Sequence, residues 1–399
     1  MAVRYVSIGL LLSALTACGT GSLGDSVTVV DSAGIRIVSN PVITAMDAPA
    51  CHVAPNPTLT IGDAIGEPGH ELYRVFGASR LADGRIVVAN QGSSELRYFA
   101  ADGRYLMSLG REGEGPAEFR ELRQIVRHVG DSLIAWDAGL QRWTAVGLDG
   151  GFGPSVTLRP PLMNPPLLLG VTSDDVMWVE YHEVRSPTGS RFVDQPLRLL
   201  RINQDGQVVD TVGTFRYGSR RVIDAEAHFV GGPLFEARHQ FAIRGDTIYS
   251  GHGDAPEIEV RDENWRLLGL IRWTNPDRTI PAEDLAQYRA ERVDGVSDPR
   301  FRRLMERRWE LSSVSDRYPA FQEMLVDDAG NLWVKRYPRL ASGVRWWLVF
   351  DPDGEFICQA TLPDDFVPSE FGTGYVLGLN RDEMGVERVL QYAIDLEVR

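Results

Sequence analysis

The sequence predicts an all-β fold, a six-bladed β-propeller closed by N- and C-terminal strands that share the last blade, with a helical insertion between blades 4 and 5. The first observation is a gapless repeat, in which the turn at Asp102–Gly103 returns as Asp149–Gly150 and Asn90 returns as Asp137 at the same offset. The second is the alternation of short apolar runs with Asp–Gly turns along the chain. A fixed period in the forties, built of short strands, is typical of propeller blades.

Each predicted blade follows the same order of strands and turns. In the first copy, strands at 85–89, 96–99 and 105–109 are separated by polar turns that contain Asp–Gly or Ser. Asp–Gly between apolar runs is a strong hairpin signal, because glycine adopts a positive φ angle at little cost. After five complete copies, the stretch 375–394 lacks its fourth strand, and we expect segment 57–62 to supply it.

Residues 281–316 interrupt the repeat and are predicted to be helical. Pro281 followed closely by two acidic residues is typical of a helix start. Four apolar side chains recur at helical spacing and are expected to dock the insert over one end of the propeller: Phe301, Leu304, Met305 and Trp309. Four arginines are expected to form a basic patch on the opposite face: Arg302, Arg303, Arg307 and Arg308.

Composition sets limits on the partners of the chain. It has 399 residues, of which 43% are hydrophobic, so a large core is available and global disorder is excluded. Lys and Arg number 41 against 55 Asp and Glu, which gives a net charge of −14. A negative electrostatic field does not attract nucleic acid or anionic lipid.

The N-terminus has the features of an export signal. Residues 1–17 contain Arg4 followed by an apolar stretch that is too short to span a bilayer, and Leu15-Thr16-Ala17-Cys18 follows. This sequence resembles the bacterial lipoprotein signal, which implies cleavage before Cys18 and acylation of its thiol. An ordinary signal peptide with a chance Cys is the alternative. Residues 18–27 are small and polar, as expected of a flexible tether, and 28–399 form the propeller.

Cys51 and Cys358 remain after Cys18 is assigned to lipidation. An exported chain reaches a compartment that permits disulfides, and a closed ring could bring these two positions together. Two buried free thiols are the alternative, and the sequence leaves both open.

The segment Gly110-Arg111-Glu112-Gly113-Glu114-Gly115-Pro116-Ala117-Glu118-Phe119 carries a family resemblance. Within a lipoprotein with Asp–Gly turns, it resembles bacterial six-bladed β-propeller lipoproteins related to the NHL and TolB-like propellers. The resemblance implies the fold and an envelope location, with Gly19 favouring the outer membrane. It implies no activity. The family usually has Gly after the Pro, where this chain has Ala117.

The sequence contains no recognisable catalytic or metal motif. No two histidines have zinc-site spacing, and no Gly-x-Ser-x-Gly run occurs. We therefore expect no cofactor. Calcium is kept open, because carboxylate and Asn oxygens suit that ion and Asn90 and Asp137 are equivalent positions. Repeated aspartates in blades are better explained by turns, and this explanation covers Asp83, Asp102, Asp149, Asp205 and Asp353.

The candidate binding residues are the four arginines of the insert together with His228 and His239, which flank the loop at Gly231–Gly232. Solvated side chains are the alternative for both groups. The main functional hypothesis is a monomeric binding or scaffold module attached to the membrane by its N-terminal lipid, whose partner is an envelope protein or a small ligand. The alternative is a hydrolase or lyase that works in the channel.

Overall fold

The protein has a propeller-like fold built mostly of β-strands. The computed structural model describes residues 26–397 except 45–47, 63–65, 129–131, 188–190, 227–228, 276–277 and 340–344. The signal segment, Cys18, most of the tether and His228 therefore lie outside the described residues. Among the described helices, none combines the length and apolar character needed to cross a membrane.

The described chain begins with four strands that join sheets formed mainly by later residues: β1 (Thr28–Ser32), β2 (Ile35–Val42), β3 (His52–Val53) and β4 (Leu59–Ile61). Two four-stranded antiparallel sheets follow. Sheet 1 contains β5 (Val75–Arg80), β6 (Ile86–Asn90), β7 (Glu95–Phe99) and β8 (Tyr105–Leu109). Sheet 2 contains β9 (Leu122–Arg127), β10 (Leu133–Asp137), β11 (Arg142–Val146) and β12 (Phe152–Thr157).

The next two sheets are larger. Sheet 3 contains β13 (Leu167–Val171), β14 (Met177–His182), β15 (Val193–Ile202), β16 (Val208–Asp224) and β17 (Phe229–Gly231). Sheet 4 contains β18 (His239–Arg244), β19 (Thr247–His252), β20 (Glu257–Arg261) and β21 (Leu267–Thr274). The β1–β2 hairpin extends sheet 4, because β2 pairs parallel with β21 at its outer edge. The repeat predicted neither this hairpin nor the length of β16.

The last two sheets follow the insert. Sheet 5 contains β22 (Glu323–Val326), β23 (Leu332–Lys335), β24 (Trp346–Phe350) and β25 (Phe356–Thr361). Sheet 6 contains β26 (Phe366–Gly372), β27 (Tyr375–Arg381) and β28 (Glu387–Asp395). Both β3 and β4 pair antiparallel with β28, so the segment 57–62 lies beside the last strand of the chain, as the repeat predicted.

The first strands of the sheets contact one another in a cyclic order. β5 contacts β9, β9 contacts β13, β13 contacts β18, β18 contacts β22, β22 contacts β26, and β26 contacts β5. A separate cluster of buried side chains fills the space between each two consecutive sheets, including sheets 6 and 1. The first strands of consecutive sheets therefore lie next to one another.

The strand β6 shows why these sequences form such sheets. All five of its residues are buried. Val87 and Ala89 pack toward sheet 2, whereas Ile86 and Val88 pack toward sheet 6. Side chains alternate across a strand, so a continuous apolar run is buried on both faces only where a sheet lies between two others.

Cys51 and Cys358 form a disulfide in the structure, with their Cα atoms 5.4 Å apart. Cys358 lies on β25, and Cys51 immediately precedes β3. The bond therefore joins sheet 5 to the N-terminal segment that completes sheet 6. Both residues belong to the buried cluster between those sheets.

The insert lies between β21 and β22 and contains α1 (Ala282–Arg289), a π-helical turn (Ala290–Asp294) and α2 (Pro299–Leu311). The side chain of Asp298 caps α2 by accepting hydrogen bonds from the backbone N–H groups of Arg300 and Phe301. Met305 is buried, and Trp309 packs with Tyr288 against Phe235, which lies in the loop between β17 and β18.

One part of the predicted docking face is wrong. Phe301 remains 48% exposed, whereas Met305 is buried. The helix begins at Pro299, so Phe301 lies in its first turn, before α2 reaches the sheets. Helical spacing identified the apolar side of α2 but could not indicate where along its length contact begins.

Candidate functional site

A cavity of about 460 Å³ follows the axis of the fold and is lined by residues from all six sheets. Its middle is apolar, with Ala78, Ile125 and Met324 among the lining side chains. Polar groups lie at both ends. The first strands of the sheets run in the same direction, so their first residues lie at one end and their last residues at the other. We call this cavity the channel.

At one end of the channel, Glu370 is the centre of a hydrogen-bonded group. Its carboxylate accepts hydrogen bonds from the Ser79 hydroxyl at 2.8 Å and the Tyr375 hydroxyl at 2.9 Å. It also accepts one from the backbone N–H of Arg80 at 2.8 Å and forms an ion pair with Arg127 at 3.3 Å. Tyr375 is thereby held as a neutral donor, since burial and then the Glu370 charge raise the pKa of its phenol. These contacts join sheets 1, 2 and 6.

At the opposite end, Glu180 lines the channel and bonds His182 on the same strand. The imidazole of His182 packs edge-on against Tyr217, with 4.0 Å between the ring centroids. Glu323, which also lines this end, forms an ion pair with Lys335 at 2.9 Å. The carboxylates at this end therefore already have cationic or imidazole partners.

Two further cavities lie beneath the insert, with volumes of about 310 and 280 Å³. They share four lining residues, Pro233, Glu236, Arg238 and Arg308, so they adjoin each other, and we call the two together the insert crevice. Gln240 lines both the crevice and the channel, which places the crevice at the end of the channel where Glu180 lies.

Arg308 reaches the crevice from α2. Its Nε atom is buried and has no hydrogen-bond partner within the described part of the chain. Gly231 lies beside it, since a Cβ atom at that position would be 3.4 Å from Arg308 Nε. A guanidinium nitrogen that is buried without a partner is costly, and such groups in native structures call for an explanation.

Arg238 enters the same crevice from the loop before β18. Its Nη1 donates a hydrogen bond to the Tyr217 hydroxyl at 3.1 Å, and its guanidinium carbon lies 4.7 Å from the centre of that ring. The nearby carboxylate of Glu236 accepts hydrogen bonds from the hydroxyl and the N–H of Ser219, each at 3.0 Å, and forms an ion pair with Arg216 at 3.3 Å. Among the described residues that line the crevice, the one carboxylate is therefore already compensated.

Tyr288 and Tyr337 line the crevice between α1 and sheet 5. Both pack edge-on against Phe235, with ring centroids 5.6 Å and 6.2 Å from it. Burial raises the pKa of the Tyr337 phenol, while the Arg238 cation acts in the opposite direction. The crevice thus combines an aromatic wall with two guanidinium groups.

The four arginines of the insert do not share one surface. Successive residues are separated by about 100° around a helix axis, so Arg303 and Arg307 face away from the apolar side of α2 whereas Arg308 lies within it. Arg307 pairs with Asp224 at 3.5 Å, and Arg302 Nε donates to the carbonyl oxygen of Val296 at 2.7 Å. Of the predicted patch, Arg308 lines the insert crevice, and the other three arginines do not.

His239 lies away from the crevice and does not line it. Its ring packs against Phe215 and Phe241, and its Nε2 lies 2.8 Å from the hydroxyl oxygen of the fully buried Ser250. Burial, followed by the nearby His252 and Arg261 charges, lowers the pKa of His239 to about 3. A neutral, enclosed imidazole is a packing residue. His228 lies outside the described residues.

The repeated positions Asn90 and Asp137 hold the connections between strands. Asn90 accepts a hydrogen bond from the backbone N–H of Tyr73, and Asp137 accepts bonds from Arg120, Glu121 and Leu140. The turn aspartates Asp83, Asp102 and Asp149 likewise accept bonds from N–H groups two residues later. Within the described residues, no group of three His, Cys, Asp or Glu side chains converges as a metal site would require.

Sequence reasoning missed Arg238, Glu236 and Tyr217. One signal was available for Arg238, because it immediately precedes β18, and residues before a first strand lie at a mouth of the channel. Glu236 lies two residues before Arg238 and offered the same signal, whereas Tyr217 offered none, since it reaches the crevice from the long strand β16. The predicted Gly231–Gly232 loop does line the crevice, although His239 beside it does not.

No protein-family model matches the chain, and no curated protein matches it. Among solved structures, a member of the DUF4221 family from Bacteroides vulgatus superposes with a TM-score of 0.50 at 8% identity, covering 87% of this chain and 99% of that chain. A protein from Bacteroides fragilis that is assigned as exported gives 0.48 at 11% identity, covering 90% and 99%. A gluconolactonase from Xanthomonas campestris gives 0.39 at 15% identity, covering 88% and 99%. The first likeness shows a shared fold and no activity.

Proposed function

We propose that this chain is a closed six-bladed β-propeller, held at the bacterial envelope by a lipid on Cys18, which acts as a binding module and takes a small ligand in the insert crevice. Kinship with the NHL and TolB-like propeller lipoproteins, a monomeric state and an outer-membrane location belong to the same proposal. The observation that carries the binding role is the crevice, where a helical insert encloses a space at one end of the channel.

Closure into six blades is supported by the described contacts. Six sheets occur, their first strands touch in cyclic order, and a buried cluster lies between every consecutive pair. The pairing of β4 with β28 supports a blade shared by the two ends of the chain. A closed ring removes the exposed sheet edges that favour aggregation.

The lipid anchor rests on the N-terminal sequence. Acyl chains on Cys18 would attach the propeller to a membrane, because two or more chains together bind a bilayer stably. In cells fed labelled palmitate, we expect label in the wild-type protein and none in Cys18→Ala. Equal labelling of both, or release of the wild-type protein in soluble form, would contradict the anchor.

The crevice has the size of a ligand site. Its two parts have volumes of about 310 and 280 Å³, which together fall within the range of small-molecule sites. Its walls come from three sheets and the insert, and they combine aromatic rings with a few convergent polar groups. Loops placed on a rigid scaffold often carry binding, and the propeller does not need this insert in order to close.

The binding role is tested by a thermal-shift screen of a chemically diverse library. We expect some compounds to stabilise the wild-type protein, because a ligand that binds only the folded state raises its melting temperature. The variant Gln322→Trp, which fills the crevice, should lose that stabilisation. Gln287→Trp is the matched control, since Gln287 bonds Glu291 on the exposed side of α1. A library without any stabilising compound, or stabilisation that survives Gln322→Trp, would refute the proposed site.

A second candidate, a channel hydrolase or lyase, is favoured by the Glu180–His182 pair. A carboxylate bonded to an imidazole beside a cavity can transfer protons during catalysis. If the protein turns over lactones or related small substrates, Glu180→Gln should reduce kcat by at least about a hundredfold. Addition of EDTA to the same assay tests for calcium dependence. Turnover unaffected by Glu180→Gln would remove this candidate.

A further inference from the structure

We infer that the insert crevice binds a ligand through an anionic group, a carboxylate or a phosphate, held between Arg238 and Arg308. This inference rests on the proposed binding role and names the chemistry of the ligand. It also differs from the basic patch expected from sequence, because one of its two arginines lies outside the insert.

The charge of the crevice differs from that of the molecule. Arg220, Arg238 and Arg308 line it, and among the described residues Glu236 is the one acidic side chain on its walls. Glu236 is already paired with Arg216. The crevice therefore carries excess positive charge on a chain of net charge −14. Charge of one sign that is concentrated in a concave site attracts ligands of opposite sign.

Arg308 supplies the strongest single argument. It lines both parts of the crevice, and its buried Nε has no protein partner among the described residues. A guanidinium group binds an anionic oxygen strongly, because charge-assisted hydrogen bonds are stronger than neutral ones.

Arg238 is held at the boundary of the two parts of the crevice. The hydrogen bond to the Tyr217 hydroxyl and the ring beneath the guanidinium group both fix it there. Tyr217 is in turn held against His182. A guanidinium group that is positioned before binding loses less conformational freedom when the ligand arrives.

The aromatic side chains of the crevice set a second requirement for the ligand. Tyr288 and Tyr337 lie on the same cavity as the two arginines. Aromatic side chains in the wall favour a flat apolar group beside the anion. An aryl anion is therefore a better probe than a bare inorganic ion.

The test compares four probes by isothermal titration calorimetry: benzoate, phenyl phosphate, inorganic phosphate, and benzamide as the neutral counterpart of benzoate. We expect both aryl anions to bind and benzamide to bind at least about tenfold more weakly. Inorganic phosphate should compete with the aryl anions. Affinity for the anions should fall as NaCl is raised, because salt screens charge.

Substitutions test whether Arg238 and Arg308 bind the anion. Arg238→Gln and Arg308→Gln should each weaken aryl-anion binding at least about tenfold, and Arg308→Lys should recover part of the loss. Arg303→Gln is the matched control, because Arg303 is exposed on the far side of the same helix. Melting temperatures within about 2 °C of wild type would show that the variants are folded.

The outcomes separate the inference from the function on which it rests. Benzamide binding as tightly as benzoate, or wild-type anion affinity in the double variant Arg238→Gln/Arg308→Gln, would overturn the inference. If none of the three anions binds, the inference also fails. In either case, a neutral library compound that stabilises the wild-type protein but not Gln322→Trp would leave the binding role intact. The absence of any such compound would refute both the inference and the binding role.

Discussion

At the residue scale, Ala117 shows how a departure from a family motif appears in the backbone. Its φ angle is +58°, in the left-handed region that favours glycine. The propeller lipoproteins that this segment resembles usually have Gly at this position. The neighbouring turn is held by Glu118, which accepts a hydrogen bond from Gly115 N–H at 2.8 Å and pairs with Arg111. The chain tolerates the alanine at some cost in strain.

Ala117→Gly should therefore stabilise the protein by about 1 kcal/mol, because it removes this strain. The measurement is the free energy of unfolding in urea. Ala101→Gly, in a turn without a positive φ angle, is the control and should destabilise by about 0.5 kcal/mol. If both variants lose stability equally, backbone strain at Ala117 is not significant.

His239 predicts a pH dependence. Its pKa is about 3 in the folded protein and near 6.5 when unfolded, so below pH 6.5 the unfolded state binds a proton that the folded state does not. The stability that His239 contributes is complete above pH 6.5 and is lost as the pH falls toward 3. Between pH 7.5 and pH 5 the loss is about 2 kcal/mol.

The variant His239→Gln should lack this part of the pH dependence. Unfolding free energies of both proteins at pH 7.5 and pH 5 give the difference directly, since other titrating groups are common to the two. Equal changes in the two proteins would contradict a buried neutral imidazole at this position.

At the element scale, the insert is fixed to the sheets at both ends. Arg278, before α1, donates hydrogen bonds to the carbonyl oxygens of Gly253, Asp254 and Tyr318. The Tyr318 hydroxyl, beyond α2, donates to Asp284 of α1 at 2.7 Å, and both side chains are buried. The crevice is therefore bounded by a docked element with a defined position.

Tyr318→Phe should loosen this attachment. The variant leaves the buried Asp284 carboxylate without one donor, which costs about 1–3 kcal/mol. We expect faster hydrogen exchange in α1 and little change in sheets 1 and 2. Tyr73→Phe is the control, because Tyr73 is largely exposed. Unchanged protection of α1 would show that the aromatic cluster alone holds the insert.

At the scale of the whole molecule, strand pairing and a disulfide join the two ends of the chain: β3 and β4 pair with β28, and the Cys51–Cys358 bond spans 307 residues. A cross-link over so long a segment restricts the unfolded chain strongly. The double variant Cys51→Ser/Cys358→Ser should lose about 2–5 kcal/mol and melt at a lower temperature. Reductant should lower the melting temperature of the wild type only. Equal melting of both proteins would show that strand pairing suffices.

The sequence alone predicted the β-rich repeat, its turns, the helical insert and the segment that lies beside the last strand. These features are local or periodic: Asp–Gly turns depend on a few neighbouring residues, and a strand buried on both faces, such as β6, has a continuous apolar run. The helix spacing in 299–311 likewise identified α2.

Only the tertiary structure decided which side chains meet. Arg308 was expected on an exposed face, but it lies on the side of α2 that turns toward the sheets. It joins Arg238 and Tyr217, which come from other elements and are distant in sequence. Composition and periodicity do not predict such contacts, because the contacts depend on how β16 and the insert pack over sheets 3 to 5. The chain's pattern therefore determined the scaffold, and packing between distant segments determined the candidate site.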